Sequence, residues 1–157
     1  MTADIELQVL VVDDDLGDVA LVRNAFADHP VRSHLHHAPD GAEALAYLRR
    51  QAPYAGAPRP DLILLDLNMP RVDGRQLLAE IKANDDLRAI PVVVFTTSAT
   101  HTDVATSYTA RANAYVTKPI NLDDFDRVLA VIRDFFGRTV TLPRSPAAPR
   151  QTRRGDR

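Results

Sequence analysis

Cysteine is absent from the 157 residues, which excludes a disulfide framework and all thiol chemistry. No apolar run is long enough to cross a bilayer. The N-terminus, MTADIELQVL, lacks the basic n-region and cleavage site of a signal peptide. Neither sign of charge dominates. The 19 Lys and Arg against 21 Asp and Glu leave −2, too little for a global field towards nucleic acid or membrane. Internal repeats are missing as well. The remaining composition, 45% hydrophobic and 25% charged, suits one soluble globular domain with a proper core. A cytoplasmic location is the expectation, with neither DNA nor membrane as a partner.

Four short apolar runs punctuate the chain: Leu7–Val12, Leu62–Leu65, Val92–Phe95 and Ala114–Val116. They are rich in Val, Leu and Ile and barely alternate, as strands buried on both faces of a parallel sheet do. A weaker strand is expected at Val31–His37. Helical periodicity fills the gaps. A first helix begins near Leu16 with Val19, Val22 and Phe26. Asp40 and Glu43, at capping-box spacing, open a second that runs to about Arg50. A third spans Gly74 to Ala83 with Leu77, Leu78 and Ile81. The fourth, from about Thr102 to Arg111, is rich in poor helix formers, and only Val104, Ala105 and Tyr108 look able to pack. The fifth carries Phe125, Val128, Leu129, Ile132 and Phe136 on one stripe, with Asn121 to cap it and Gly137 to close it. Five alternations of strand and helix predict an α/β fold, a doubly wound five-stranded parallel sheet with five helices.

Such folds bind ligands at the carboxyl ends of their strands. The residues found there are Asp13, Asp14 and Asp15 after the first run, Asp66 after the third strand, Thr96 after the fourth and Lys118 after the fifth. Clustered carboxylates repel one another, and a hard divalent cation such as Mg²⁺ removes the conflict. A carboxylate nucleophile, a metal, an ammonium and a hydroxyl are the parts that phosphoryl transfer needs. Asp66 is the candidate covalent acceptor. Asp15 and Asp18 are read as helix N-terminal acids, since one acid after a strand is more often a cap than a ligand. His34, His36 and His37 alternate along an edge strand with no supporting cysteine or acid cluster, so they are not read as a zinc site.

The segments VVDDD, LLDLNMPRVDG, PVVVFTTSA and YVTKP together resemble a response-regulator receiver domain. The resemblance covers about residues 7–137 and implies a flavodoxin-like sheet of order 2-1-3-4-5. By that likeness Asp13 and Asp14 form the acidic pair of the Mg²⁺ site, Asp14 direct and Asp13 through water. Asp66 is the phosphoacceptor and Asn68 a ligand through its backbone carbonyl. Thr96 is the switch hydroxyl, Tyr115 the switch aromatic, and Lys118 the pocket lysine, its bond to Pro119 cis. Asn68 and Ser98 flank the path of water in autodephosphorylation. The segments DDLGDVALVRNAF, TTS and YVTKPINLDDF further resemble the small response regulators of bacterial phytochrome histidine kinases.

Residues 1–6 then form a lead and 138–157 an extension, Pro- and Arg-rich and disordered from about 143. No output domain is expected, so the phosphorylated surface acts through a partner or through self-association. The implied partners are a histidine kinase, a bacteriophytochrome, and a second copy. The kinase is expected at Leu16, Val19, Ala20, Arg23, Ile120 and Asn121. The homodimer is expected through the fourth helix, fifth strand and fifth helix, and Phe135, Phe136, Val140 and Leu142 either extend that contact or close the bottom of the core. Two other roles share these parts: a relay intermediate or phosphate sink, and a Mg²⁺-dependent aspartyl phosphohydrolase. The hydrolase wants an acid where Asn68 stands.

Overall fold

The computed structural model describes residues 6–27 and 30–143. The chain runs β1 (Leu7–Val12), α1 (Leu16–Ala27), β2 (Ser33–Ala38), α2 (Gly41–Leu48), β3 (Leu62–Leu65), α3 (Gly74–Ala83), β4 (Val92–Thr96), α4 (His101–Thr109), β5 (Ala114–Thr117) and α5 (Leu122–Asp134). All pairings are parallel, in the order β2-β1-β3-β4-β5. Lead and extension fall mostly in residues 1–5 and 144–157, outside those described.

Because successive strand residues face opposite sides, each strand feeds two cores. Leu10, Val12, Ile63, Leu65, Val92 and Val94 meet Leu45, Leu48, Leu77, Leu78 and Ile81 on one face. Val9, Val11, Leu62, Leu64, Val93 and Phe95 meet Val22, Phe26, Phe125, Leu129 and Ile132 on the other. Helices thus cover both faces, and the sheet's carboxyl edge is left for the loops.

Local chemistry sets the helix starts. Asp40 accepts from the Glu43 N–H, Asp73 from the Gln76 N–H, Thr100 from the Asp103 N–H, and Asn121 from those of Asp123 and Asp124. The capping box of α2 is only half made: the Glu43 carboxylate accepts from Tyr54 Oη at 2.6 Å instead of turning back to Asp40.

Several expectations need correcting. Gly137 does not close α5. It lies in a π-helical turn, Phe135–Thr139, that continues the helix, and its bare Cα lets Val31 pack where a Cβ would meet Val31 Cγ1 at 2.5 Å. Val31 is therefore a core residue ahead of β2, not its first ladder residue. In α4 the packing differs too: Ser107 is its buried residue, Ala105 is exposed and Tyr108 is half exposed. The cis peptide among the described residues is Ala52–Pro53, so Lys118–Pro119 is trans. The trans form of an X–Pro bond is intrinsically favoured by about 0.5–1 kcal/mol, and in it Lys118 still reaches the pocket.

Candidate functional site

Parallel register brings the ends of β1, β3, β4 and β5 together. Asp66 N–H donates to the Val12 carbonyl and Lys118 N–H to the Thr96 carbonyl, at 2.9 and 2.7 Å. These bonds fix where each functional side chain leaves the sheet. Asp13, Asp66, Thr96 and Lys118 are all buried, whereas Asp14 and Asn68 are exposed at the rim.

The Asp66 carboxylate is held from both sides. Thr96 Oγ1 donates to its Oδ1 at 2.7 Å, with the Asn68 N–H at 3.3 Å, and Lys118 Nζ donates to its Oδ2 at 3.3 Å. Lys118 Nζ also donates to Asp13 Oδ2 at 2.7 Å and Asp18 Oδ2 at 2.8 Å. Phe95 lies beneath it, its ring centroid 5.8 Å from Nζ. Burial alone lowers the lysine pKa, but hydrogen bonds to Asp13 and Asp18 and the charges of Asp13 and Asp66 outweigh it. The ammonium is therefore held above the ordinary lysine range. Burial pushes Asp13 up to about 6, because Lys118 and the Asp15 N–H only partly offset its desolvation.

Carboxylate oxygens of Asp13, Asp14 and Asp66 lie within 4.8 Å of one another, the one such group among the described residues. An all-oxygen donor set suits a hard divalent cation, so the residues fit a metal. The three histidines form no such group: His34 meets Glu6, His36 meets Gln8, and His37 Nε2 donates to the Asp13 carbonyl at 2.7 Å.

Asp15 caps α1 as expected, accepting from the Asp18 N–H. Asp18 is more than a helix-terminal acid, since it holds Lys118. Sequence reasoning also missed a second cluster beside the site. Arg75, from α3, grips both Asp103 oxygens at 2.9 and 2.8 Å, and Ser98 Oγ donates to the same carboxylate. Tyr115 Oη donates to the Ser98 carbonyl at 2.7 Å. Tyr115 is half-buried against the first core. Of the expected docking residues, Leu16, Ala20, Arg23, Ile120 and Asn121 are exposed. Val19 is buried, because it faces the sheet.

A sheet of order 2-1-3-4-5 with three acids and a lysine at its carboxyl edge is the arrangement of a receiver. The response regulator receiver domain family model matches residues 9–130, and the chain belongs to that family. It is a receiver-domain response regulator homologous to phytochrome response regulators. Response regulator Rcp1 of Synechocystis is 46% identical over 135 residues, which cover 86% of this chain and 92% of Rcp1. The phosphorylated cyanobacterial phytochrome response regulator RcpA superposes with a TM-score of 0.87 at 43% identity, covering 89% of this chain and 100% of RcpA. The Mn²⁺-bound form of Rcp1 gives 0.85 at 45%, covering 88% of this chain and 99% of that one. The family is one of signalling proteins, one of whose members, Rcp1, is seen with Mn²⁺ bound, and the acidic trio of this chain has the donor set for a divalent cation.

Proposed function

We propose that Asp66 accepts a phosphoryl group from a histidine kinase, a bacteriophytochrome, in a Mg²⁺-dependent reaction. The observation that carries this is the bracketing of one carboxylate by two different donors, Thr96 on Oδ1 and Lys118 on Oδ2. Asp13, Asp14 and Asp66 and the Asn68 backbone carbonyl are the groups to hold the cation. When bound, Mg²⁺ neutralises charge on the carboxylates and on the incoming phosphoryl oxygens.

An Asp66 oxygen attacks phosphorus, the bond to the donor nitrogen breaks, and its electron pair stays with the departing imidazole. Lys118 and Thr96 then donate to phosphoryl oxygens. The new group adds roughly two negative charges with strong acceptors, which draws the Thr96 hydroxyl. Tyr115, two residues from the Thr117 that pairs with Thr96, is the switch aromatic. Asn68 and Ser98 border the path of hydrolytic water. The Ser98 hydroxyl is engaged, donating to the Asp103 carboxylate.

The domain covers residues 7–137, signals from the cytoplasm and catalyses only its own phosphorylation and dephosphorylation, as exposed Asn68 offers no acid for phosphohydrolase chemistry. No helix among the described residues is long and apolar enough to cross a membrane. Self-association uses the α4-β5-α5 face. Val131 and Phe135 are 65% and 47% exposed there, beside a groove of about 490 Å³ that Phe136, Val140 and Leu142 help to line.

Phosphotransfer from candidate kinases, and from acetyl phosphate with Mg²⁺, tests the assignment. Acid-labile phosphate is expected on the wild type and not on Asp66→Asn. Equal labelling of the variant refutes Asp66 as acceptor.

A further inference from the structure

An ammonium has three N–H donors, and Lys118 directs one to each of three carboxylates. The two short bonds go to Asp13 Oδ2 at 2.7 Å and Asp18 Oδ2 at 2.8 Å, and the longest, 3.3 Å, goes to Asp66 Oδ2. Lysine sits on a flexible four-carbon stem with three rotatable donors, so its aim depends on what holds it. Asp13 is not free for that task alone, because its carboxylate belongs to the metal-binding trio. Asp18 stands outside the trio and is free to serve the lysine. Its own backbone is pinned, its N–H donating to Asp15 Oδ1 at 3.1 Å in the first turn of α1. An acid in a first turn also complements the helix dipole. Any residue of that turn would do so; a bond to Lys118 across 100 residues of sequence requires this one.

We propose that Asp18 is a positioning residue for phosphoryl transfer: together with Asp13 it anchors the Lys118 ammonium, leaving the remaining N–H aimed at the reacting oxygen of Asp66 and at the phosphoryl group that follows. This rests on Asp66 being the acceptor.

The full-length chain is compared with Asp18→Ala and Asp18→Asn. Two quantities are read: the rate of Asp66 labelling by acetyl phosphate at saturating Mg²⁺, and the Lys118 ammonium resonance of the unphosphorylated protein. The alanine variant is expected to lower the maximal rate about tenfold, as loss of one charge-assisted hydrogen bond does, with the half-saturating acetyl phosphate concentration little changed. Its ammonium protons exchange faster. The asparagine variant keeps an oxygen acceptor and recovers most of the rate. If the alanine variant does not fold, Asp18→Leu, which likewise carries no acceptor and suits a helix, takes its place. An unchanged rate and resonance in the acceptor-free variant overturn the proposal, as does a change confined to half-saturation. Absence of label on wild-type Asp66 strikes the acceptor assignment instead, and the ammonium resonance still reports on the anchor.

Discussion

Gly74 stands against the backbone of Asp66, where a Cβ would lie 2.1 Å from the Asp66 carbonyl oxygen and 2.6 Å from Leu67 Cα. The first residue of α3 is therefore a glycine for want of space, since its φ is not positive. Alanine favours a helix by about 1 kcal/mol, but here its methyl meets backbone that has nowhere to yield. Gly74→Ala is expected to destabilise by about 1–3 kcal/mol in urea denaturation and to slow Asp66 labelling as the β3–α3 loop shifts. Wild-type stability would show that the loop gives way freely.

Lys118 offsets the charges of Asp13, Asp18 and Asp66. Lys118→Met leaves them uncompensated, at a cost of about 3–5 kcal/mol in metal-free protein. Added Mg²⁺ then has more repulsion to relieve and raises the melting temperature further than in the wild type. Melting curves with EDTA and with excess Mg²⁺ decide the point, and a smaller metal-induced rise in the variant contradicts it.

The Arg75 guanidinium, and next the Ser98 hydroxyl, hold Asp103 down to about 2 from the ordinary 3.8. A carboxyl whose folded pKa is depressed stabilises above its unfolded value, and that contribution disappears as pH falls through the folded value. The stability gap between the wild type and Arg75→Ala is thus expected to stay constant above pH ~5 and to narrow from about 4 towards 2. A carboxyl NMR titration gives the direct check: Asp103 titrates near 2, and higher in Arg75→Ala.

Tyr115→Phe removes one hydrogen bond, to the Ser98 carbonyl, and keeps the ring in its half-buried place. The expected loss is about 0.5–1.5 kcal/mol. Denaturation at equilibrium measures it, and no loss means that water replaces the bond without cost.

Buried parallel strands write themselves plainly into sequence. β1, β3 and α3 start and end at the residues their apolar runs indicate, Leu7–Val12, Leu62–Leu65 and Gly74–Ala83. Asp13, Asp66, Thr96 and Lys118 are readable for the same reason, since the first three follow directly on such a run and Lys118 comes one residue later, after Thr117. What stayed hidden depends on contacts between distant segments. Asp18 looks like any acid at a helix start, and its lysine is 100 residues away. Gly137 looks like a helix stop, and only Val31 packed against it explains why it is not. Arg75 and Asp103 lie on separate helices, 28 residues apart, and neither has a local pattern that names the other. The polar α4 has no apolar stripe to show which side turns inward, so its buried Ser107 went unseen.

The bond between Asp13 and Lys118 joins residues 105 positions apart. On the ribosome, the acids of the pocket are made first and their counter-charge nearly last. A nascent chain therefore holds the Asp13, Asp18 and Asp66 carboxylates without their internal cation, and that compensation waits until β5 has docked and Lys118 has reached them.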